Sequence, residues 1–417
     1  MTRRVAAWLP AVGTALLLAA LPGPARGAES FRSATVCAQC HPEIYRTWRS
    51  SRHASAWTNT LFQSALERIR VRNPDSPPPC FHCHNPLRFF LEPDDPKVSI
   101  FAREGVTCEF CHSVEFLLQG IEGAGFPRYL VNPEFKFGPY PNDDSRRKAH
   151  STKFSPLHIR SVFCAGCHEY RNRFGVSVLS TYSEWEESYY RGKSVHCQFC
   201  HLPDLFDARF MEPGKKQGPV GHGMLGGFSR DLLARALPIR ATLTQEGSEA
   251  RLSIQVKNDF VGHKAPSGFP IHRLRLETTL YDTDRHVLGR GEEIFERILG
   301  DGDGNPLHTP EQFFLAARQV LKDNRIAPKE VRRIDQHFPL AGRTPGKAEV
   351  ALFYEISLAD QVPGLASSSV SILRIDVPLS AGIPPNILAL IGLGCVVLIL
   401  AATIVYRRYL LRSRSAP

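Results

Sequence analysis

Cys108-Glu-Phe-Cys111-His112 is the third of five pentapeptides that share one pattern in this 417-residue chain. In every copy two cysteines stand three positions apart, and a histidine follows the second cysteine at once. The five copies use ten of the eleven cysteines, and Cys395 lies apart from them in an apolar run. We number the copies motifs 1 to 5 in chain order. Motifs 1, 2, 4 and 5 are Cys37-Ala-Gln-Cys40-His41, Cys80-Phe-His-Cys83-His84, Cys164-Ala-Gly-Cys167-His168 and Cys197-Gln-Phe-Cys200-His201.

The C-x-x-C-H pattern is the attachment site of c-type haem, in which both thiols bond the porphyrin and the histidine ligates the iron. A zinc site is the first alternative, but it needs two cysteine pairs or one pair with spaced histidines. Five pairs is an odd number, and a disulfide framework would need neither the fixed gap nor the histidine. The sequence therefore predicts five covalently bound haem c groups, each with its motif histidine as one iron ligand.

Residues 1–27 have the features of a secretory signal. Arg3 and Arg4 form the charged start, an apolar stretch runs from Val12 to Leu21, and small residues precede the expected cleavage site. This apolar stretch is too short for a membrane span, and prolines flank it. We expect the mature chain to begin at about residue 28, outside the cytoplasm.

A second apolar segment, residues 387–406, predicts one C-terminal transmembrane helix. Residues 387–405 contain no charge and no proline, which is long enough to cross a bilayer. Four arginines follow in residues 407–417, and the positive-inside rule places this basic tail in the cytoplasm. We expect a single-pass protein of the cytoplasmic (inner) membrane, with the haem region facing the periplasm.

The formal net charge of +10 does not indicate nucleic-acid binding. Three arginines of the signal and four of the cytoplasmic tail account for seven of these charges. Ten haem propionates would make the loaded exported region acidic on balance. We therefore expect no nucleic-acid partner, although a basic composition alone would suggest one.

The sequence between the signal and the C-terminal apolar segment predicts an α+β protein of two regions. Residues 28–232 hold all five motifs, about 40 residues for each, so we expect short helices and loops wrapped around the haems. Residues 238–380 contain no motif, and their alternating polar and apolar residues predict a β-sandwich-like domain. The predicted strands are 239–244, 250–256, 273–281, 348–356 and 369–376.

A second histidine on the other face of an iron favours electron transfer, whereas an open position admits substrate. His82 and His196 are held too close to their own haem loops to be good second ligands. We expect His272, His286, His308 and His337 at solvent or turn positions of the β region. The five candidates for second iron ligands are His53, His150, His158, His222 and His263.

Several segments resemble multihaem cytochromes c, including the tetrahaem cytochrome that accepts electrons from hydroxylamine oxidoreductase. Gly105-Val-Thr-Cys108-Glu-Phe-Cys111-His112 is similar to one haem site of that family. The segment from Cys37 to His53 resembles its C-x-x-C-H…W-x-x-S-x-H-A opening, which implies that His53 ligates the iron of another haem. The segment 195–203 resembles its C-x-x-C-H-M-P site, with Leu202 in place of methionine.

Later segments carry the same resemblance. His222 with the glycines at 226 and 227 is similar to a late second-ligand segment of the family, and segments 262–268 and 323–330 resemble parts of a β domain that follows the haems. The five motifs and the C-terminal anchor depart from the family pattern. Hydroxylamine oxidoreductases have eight haems and a tyrosine cross-link, and we identify no such tyrosine or other catalytic residue here.

The sequence favours an electron carrier whose partners are redox proteins. The expected donor is a membrane quinol-oxidising complex or another cytochrome, and the acceptor is a periplasmic or further multihaem protein. One alternative is an oxidoreductase that acts on a small nitrogen or sulfur compound at a haem lacking a second histidine, where Arg191 or Lys193 would stabilise an anionic substrate. Another is a cytochrome subunit of a larger respiratory complex.

Overall fold

The computed structural model describes residues 31–72, 80–91, 95–118, 128–140, 149–202, 221–356, 368–380 and 398–403. The predicted signal peptide and Cys395 lie outside these ranges. Most of the predicted transmembrane segment also lies outside them, and its described part, residues 398–403, is helical. Within the described ranges, each helix is too short or too polar to cross a bilayer.

Each motif coincides with a short helix or helical turn. A helix places residues i, i+3 and i+4 on one face, so the two cysteines and the histidine of C-x-x-C-H project together. The histidine N–H closes the turn in motifs 1 and 2, where His41 donates to the Cys37 carbonyl at 2.8 Å and His84 to the Cys80 carbonyl at 3.0 Å. The helices are α1 (Ala34–Ala38), α4 (Phe81–His84), α6 (Cys108–Ser113), α7 (Val162–His168) and α10 (Cys197–His201).

Other short elements connect the motifs. One helix ends at Glu186 and the next begins at Tyr189, because the Ser188 side chain accepts a hydrogen bond from the Tyr190 N–H and caps the second helix. The connecting helices are α2 (Pro42–Arg49), α3 (Thr60–Arg72), α5 (Lys97–Glu104), α8 (Thr181–Glu186), α9 (Tyr189–Gly192) and α11 (Arg230–Ala236). The strands are β1 (Val114–Leu118), β2 (Arg128–Val131), β3 (Phe135–Gly138), β4 (Ser151–Phe154), β5 (Glu169–Arg171) and β6 (Ser177–Ser180).

These six strands form three two-stranded pairs: β1 with β2 and β5 with β6 are antiparallel, whereas β3 with β4 is parallel. The apolar side chains of this region form small clusters rather than one large core. The main cluster contains Leu87, Phe101 and Phe110, and a smaller one surrounds Trp48. The chain therefore encloses a space that its own apolar side chains do not fill.

The C-terminal part is β-rich, as expected. The strands are β7 (Ile239–Glu246), β8 (Glu249–Lys257), β9 (His272–Asp282), β10 (Val287–Phe295), β11 (Arg297–Gly300), β12 (Gln319–Asp323), β13 (Val331–Pro339), β14 (Pro345–Ile356) and β15 (Ser368–Pro378). A three-stranded sheet of order β13-β8-β7 and a four-stranded sheet of order β10-β9-β14-β15 share one apolar core. β11 pairs with β12, and the helix α12 (Pro310–Leu315) lies between them in sequence.

The core between the two sheets follows from the alternating pattern of the strands. Leu252 and Ile254 on β8 face the same interior as Leu276 on β9 and Leu352 on β14, and all four are fully buried. Burying one such side chain contributes roughly 1.5–3 kcal/mol. The shared core makes the β region a sandwich of two sheets.

Polar contacts join the β region to the motif-bearing region. Arg68 on α3 pairs with Glu311 on α12 at 2.7 Å, and Glu311 is almost completely buried. The buried amide of Asn172 donates to the Ala317 carbonyl at 2.8 Å. The β region is therefore part of the structure that surrounds the motifs.

Candidate haem site

All five motifs open into one cavity of about 1340 Å³. Its lining is mostly apolar and includes the ten motif cysteines and the five motif histidines. Pockets for a single small molecule have volumes of roughly 300–1,000 Å³. The size of this cavity, its apolar walls and its convergent Cys-Cys-His sets suit several porphyrins held together.

The motif cysteines are free thiols, and several contact a thiol of another motif. Cys83 and Cys167 are such neighbours: each sulfur lies within 3.9 Å of a backbone carbonyl of the other motif. The contacting thiol pairs join motif 1 with 3, motif 2 with 4, and motif 4 with 5: Cys37–Cys108, Cys83–Cys167 and Cys164–Cys197. Groups attached to these motifs would therefore be close neighbours.

The zinc alternative does not fit the positions of these cysteines. Across the described ranges, one group of three potential ligands has its donor atoms within 4.8 Å of one another, and it contains no cysteine. This group, Asp282, Asp284 and His286, lies at the β9–β10 turn. Arg343 lies 3.3 Å from Asp282 and already balances its charge.

The motif imidazoles are oriented by backbone carbonyls. In motifs 2, 3 and 5 the Nδ1 atom donates a hydrogen bond to a carbonyl oxygen, which fixes the tautomer and leaves Nε2 for a metal. Because the acceptors are main-chain atoms, no residue type in the sequence marks them. The pairs are His84–Ala56 at 2.8 Å, His112–Phe137 at 2.7 Å and His201–Leu225.

A second imidazole faces four of the five motif histidines. Two imidazoles on opposite faces of one metal, with metal–nitrogen bonds of about 2 Å, have ring centroids about 6 Å apart. The centroid distances in the structure agree with this arrangement. They are 6.4 Å for His41–His150, 6.2 Å for His168–His53, 6.2 Å for His112–His222 and 6.3 Å for His201–His263.

His158 also lies near His112, with a centroid distance of 5.8 Å. Its Nε2 atom donates to the carbonyl of Cys111 at 2.9 Å, and its buried Nδ1 atom has no hydrogen-bond partner. The bond to Cys111 fixes His158 beside the backbone of motif 3 itself. The structure thus brings two of the five candidate second ligands, His158 and His222, to one motif histidine.

His84 of motif 2 has no such partner. All sixteen histidines lie in the described part of the chain, and none of them faces His84. The ring of Phe62 stacks on it instead, with a centroid distance of 3.8 Å. The five candidate histidines are therefore not divided as one for each motif histidine. The fold determines which segments meet at a motif, and the sequence does not specify this.

The remaining histidines do not face a motif histidine. His196 accepts hydrogen bonds from the backbone and hydroxyl of Ser161, and His82 stacks on Phe89. His286, His308 and His337 are exposed on the β region, as expected. The expectation of a solvent or turn position for His272 is wrong: it begins β9, lines the cavity and donates from Nδ1 to the Ser267 carbonyl at 3.1 Å.

Burial keeps the central imidazoles neutral. Burial and neighbouring imidazoles lower the pKa of His53 to about 4 and the pKa values of His112 and His168 to about 3. A neutral imidazole is the form that ligates a metal. Arg191 and Lys193 are exposed, and neither lines the cavity.

Comparison with known proteins agrees with this site. The family model described as cytochrome c554 and c-prime matches residues 36–113, which contain motifs 1 to 3. The crystal structure of a penta-haem cytochrome c552 from Thermochromatium tepidum superimposes with a TM-score of 0.68 at 23% identity, covering 84% of this chain and 99% of that one. Over motifs 1 to 3 this chain is similar to cytochromes c554 and c-prime, and it has the fold of that penta-haem cytochrome c552.

Two other comparisons carry no argument about this chain. The crystal structure of a Bacteroides uniformis β-glucuronidase aligns with a TM-score of 0.13 and 16% identity, over 33% of this chain and 12% of that one. No curated protein matches the sequence.

Proposed function

We propose that this cytochrome carries five covalently bound haem c groups and passes single electrons between a membrane donor and a periplasmic or further multihaem acceptor. The facing imidazole pairs at four motifs carry this proposal. Two imidazole ligands leave an iron no position for substrate, and they suit it to electron exchange. The haem iron supplies the one-electron chemistry, and the protein supplies the ligands, their orientation and the dry surroundings.

The ligand assignments follow from the ring distances. His150 would complete the site of His41, His53 that of His168, His222 that of His112, and His263 that of His201. We favour His222 over His158 because the Nε2 bond to Cys111 holds His158 on the same side as the backbone of motif 3. The thiol contacts would keep the haems of motifs 1 and 3, of motifs 2 and 4, and of motifs 4 and 5 close enough for electron transfer.

The partners and location proposed here rest on the two ends of the sequence. A cleaved signal over residues 1–27 and a span over 387–406 would tether the haem region to the periplasmic side of the cytoplasmic membrane. Tethering raises the effective concentration near a membrane partner such as a quinol-oxidising complex. The match over residues 36–113 supports kinship with cytochromes c554 and c-prime. A subunit role in a larger respiratory complex is the alternative that co-purification would reveal.

The test is a count of haems and of their spin states in the purified cytochrome. We expect a mass that exceeds the apoprotein by five haems and an electron paramagnetic resonance spectrum with four low-spin ferric centres. Rapid reduction by a quinol-oxidising complex, followed by oxidation by a second cytochrome, would support the carrier role. Fewer than five haems, or mainly high-spin centres, would contradict the proposal.

His84 favours a second candidate function, oxidation or reduction of a small nitrogen or sulfur compound at motif 2. With no imidazole opposite His84, the iron there would have a position for such a ligand. We expect one high-spin centre per protein, with a signal that changes when nitrite or hydroxylamine is added. Five low-spin centres would exclude this activity and leave the carrier role intact.

A further inference from the structure

His263 links motif 5 to the β region. It lies in the loop between β8 and β9, whereas the imidazoles that face His41, His112 and His168 come from earlier segments. Its Nδ1 donates to the carbonyl of Lys264 at 2.9 Å, and its own carbonyl accepts from the buried amide of Asn258 at 3.0 Å. The position of this ring thus depends on how its loop is held.

Glu184, which lies in the motif-bearing region, anchors that loop. It lies on α8, its side chain is 7% exposed, and its Oε2 accepts from the Lys264 N–H at 3.1 Å and from the Ser267 hydroxyl at 2.9 Å. Its Oε1 pairs at 2.7 Å with Arg325, whose side chain is 4% exposed. Hydrogen bonds to an ionised carboxylate are about twice as strong as neutral ones, so this carboxylate is a firm anchor for the residues that flank His263.

Arg325 anchors the same loop a second time. It donates to the Pro266 carbonyl at 3.3 Å, and Asp323 pairs with it at 2.8 Å. Because Arg325 and Glu184 are both buried, removing either charge leaves the other without its full compensation. The pair therefore acts as a unit that joins α8 to the loop.

The next residue of α8 contacts the other side of motif 5. Trp185 donates from Nε1 to the Val195 carbonyl at 2.8 Å, and its ring lies 5.4 Å from that of His196, directly before Cys197. Consecutive side chains of one short helix therefore hold the segment that leads to His201 and the loop that carries His263.

We propose that Glu184, braced by Arg325, is the positioning residue that sets His263 opposite His201. This inference rests on the proposed ligation at motif 5. Without the carboxylate, the loop from Lys264 to Ser267 loses two of its anchors, and the His263 ring no longer stays at ligand distance. The expected consequence is a weakened second ligand at one haem, with the other haems unchanged.

The experiment compares Glu184→Ala, Glu184→Gln and His263→Ala in the haem-loaded cytochrome, with Glu187→Gln as control. Glu187 is exposed and directly follows α8. We expect His263→Ala to add one high-spin centre per protein and Glu184→Ala to add the same signal in part, at unchanged haem content. Imidazole should remove the added signal in both. Glu184→Gln keeps the shape of the side chain but removes its charge, and it should shift the midpoint potential of one haem. Glu187→Gln should shift the potential of none.

The outcomes separate the two claims. If His263→Ala adds no high-spin centre, the ligation proposed for motif 5 is wrong and this inference falls with it. If His263→Ala adds the signal while both Glu184 variants keep the wild-type spin states and potentials, only the positioning role is wrong. Should Glu184→Ala fail to fold, Glu184→Gln decides, because unchanged potentials in that variant overturn the inference.

Discussion

At the scale of single residues, the central feature is the facing imidazole pair. A ring separation near 6 Å occurs at four motifs, and the rings come from segments up to 115 residues apart, as for His53 and His168 at 6.2 Å. The sequence allowed His53, His150, His222 and His263 to be named as candidates, because they stand near motifs or small residues. It could not assign them to motifs, since the assignment depends on how distant segments meet.

His53→Ala tests the imidazole pair of motif 4. The imidazole of His53 faces that of His168 at 6.2 Å, and burial keeps both neutral. We expect the substitution to add one high-spin centre per protein in the electron paramagnetic resonance spectrum. His337→Ala, an exposed site of the β region, is the matched control. A spectrum identical to that of the control would show that His53 is no ligand.

A comparison of His158→Ala with His222→Ala decides which ring completes motif 3. We expect His222→Ala to convert one low-spin centre to high spin. His158→Ala should keep the spin state and lower the unfolding temperature, because it removes the hydrogen bond to Cys111. The reverse pattern in the two spectra would assign the ligand to His158.

At the scale of elements, the motifs themselves determine their local structure, because C-x-x-C-H places its three functional side chains together only on a helical turn. The strands β7, β8, β9, β14 and β15 were equally visible in the alternating pattern. β10 and β13 were not: β10 contains Gly289, Gly291 and two consecutive glutamates, and β13 is an exposed edge strand rich in arginine. Their pairing partners, not their composition, make them strands.

Gly166 within motif 4 shows how tightly one such element is packed. A Cβ atom at this position would come within 2.0 Å of the hydroxyl of Tyr129, which donates to the Phe163 carbonyl. We expect Gly166→Ala to destabilise the protein by about 1–3 kcal/mol, as overpacking does, in thermal or denaturant unfolding of the haem-loaded form. Gly192→Ala, where a Cβ meets open space, is the control. Equal stability of the two variants would contradict the packing described here.

At the scale of the whole molecule, the two regions are held together by buried ionic contacts, among them Arg68 with Glu311 and Arg325 with Glu184. The division into a motif region and a β region was predictable from composition. Their association was not, because each partner of these pairs lies more than a hundred residues from the other and resembles an ordinary surface charge in the sequence.

The Arg68–Glu311 contact makes the stability of the fold depend on pH. Burial raises the pKa of Glu311, but the hydrogen bond and charge of Arg68, together with weaker hydrogen bonds, outweigh it and leave the pKa below its usual value. A lowered carboxyl pKa stabilises the fold above the ordinary value of about 4.3, and this contribution is lost as the pH falls below it. We expect the unfolding temperature of Glu311→Gln to be lower than wild type at pH 7 and to approach it towards pH 3. A constant difference across this range would contradict the assignment.

The thiol contacts between motifs also constrain biogenesis. Cys83 and Cys167 belong to motifs that are 84 residues apart in sequence, yet their side chains are neighbours once the chain is compact. In an oxidising compartment such neighbours would crosslink into a disulfide and block both vinyl additions. If the haems are attached in such a compartment, each porphyrin would have to be bonded while the chain is still open, and collapse would have to follow the last thioether.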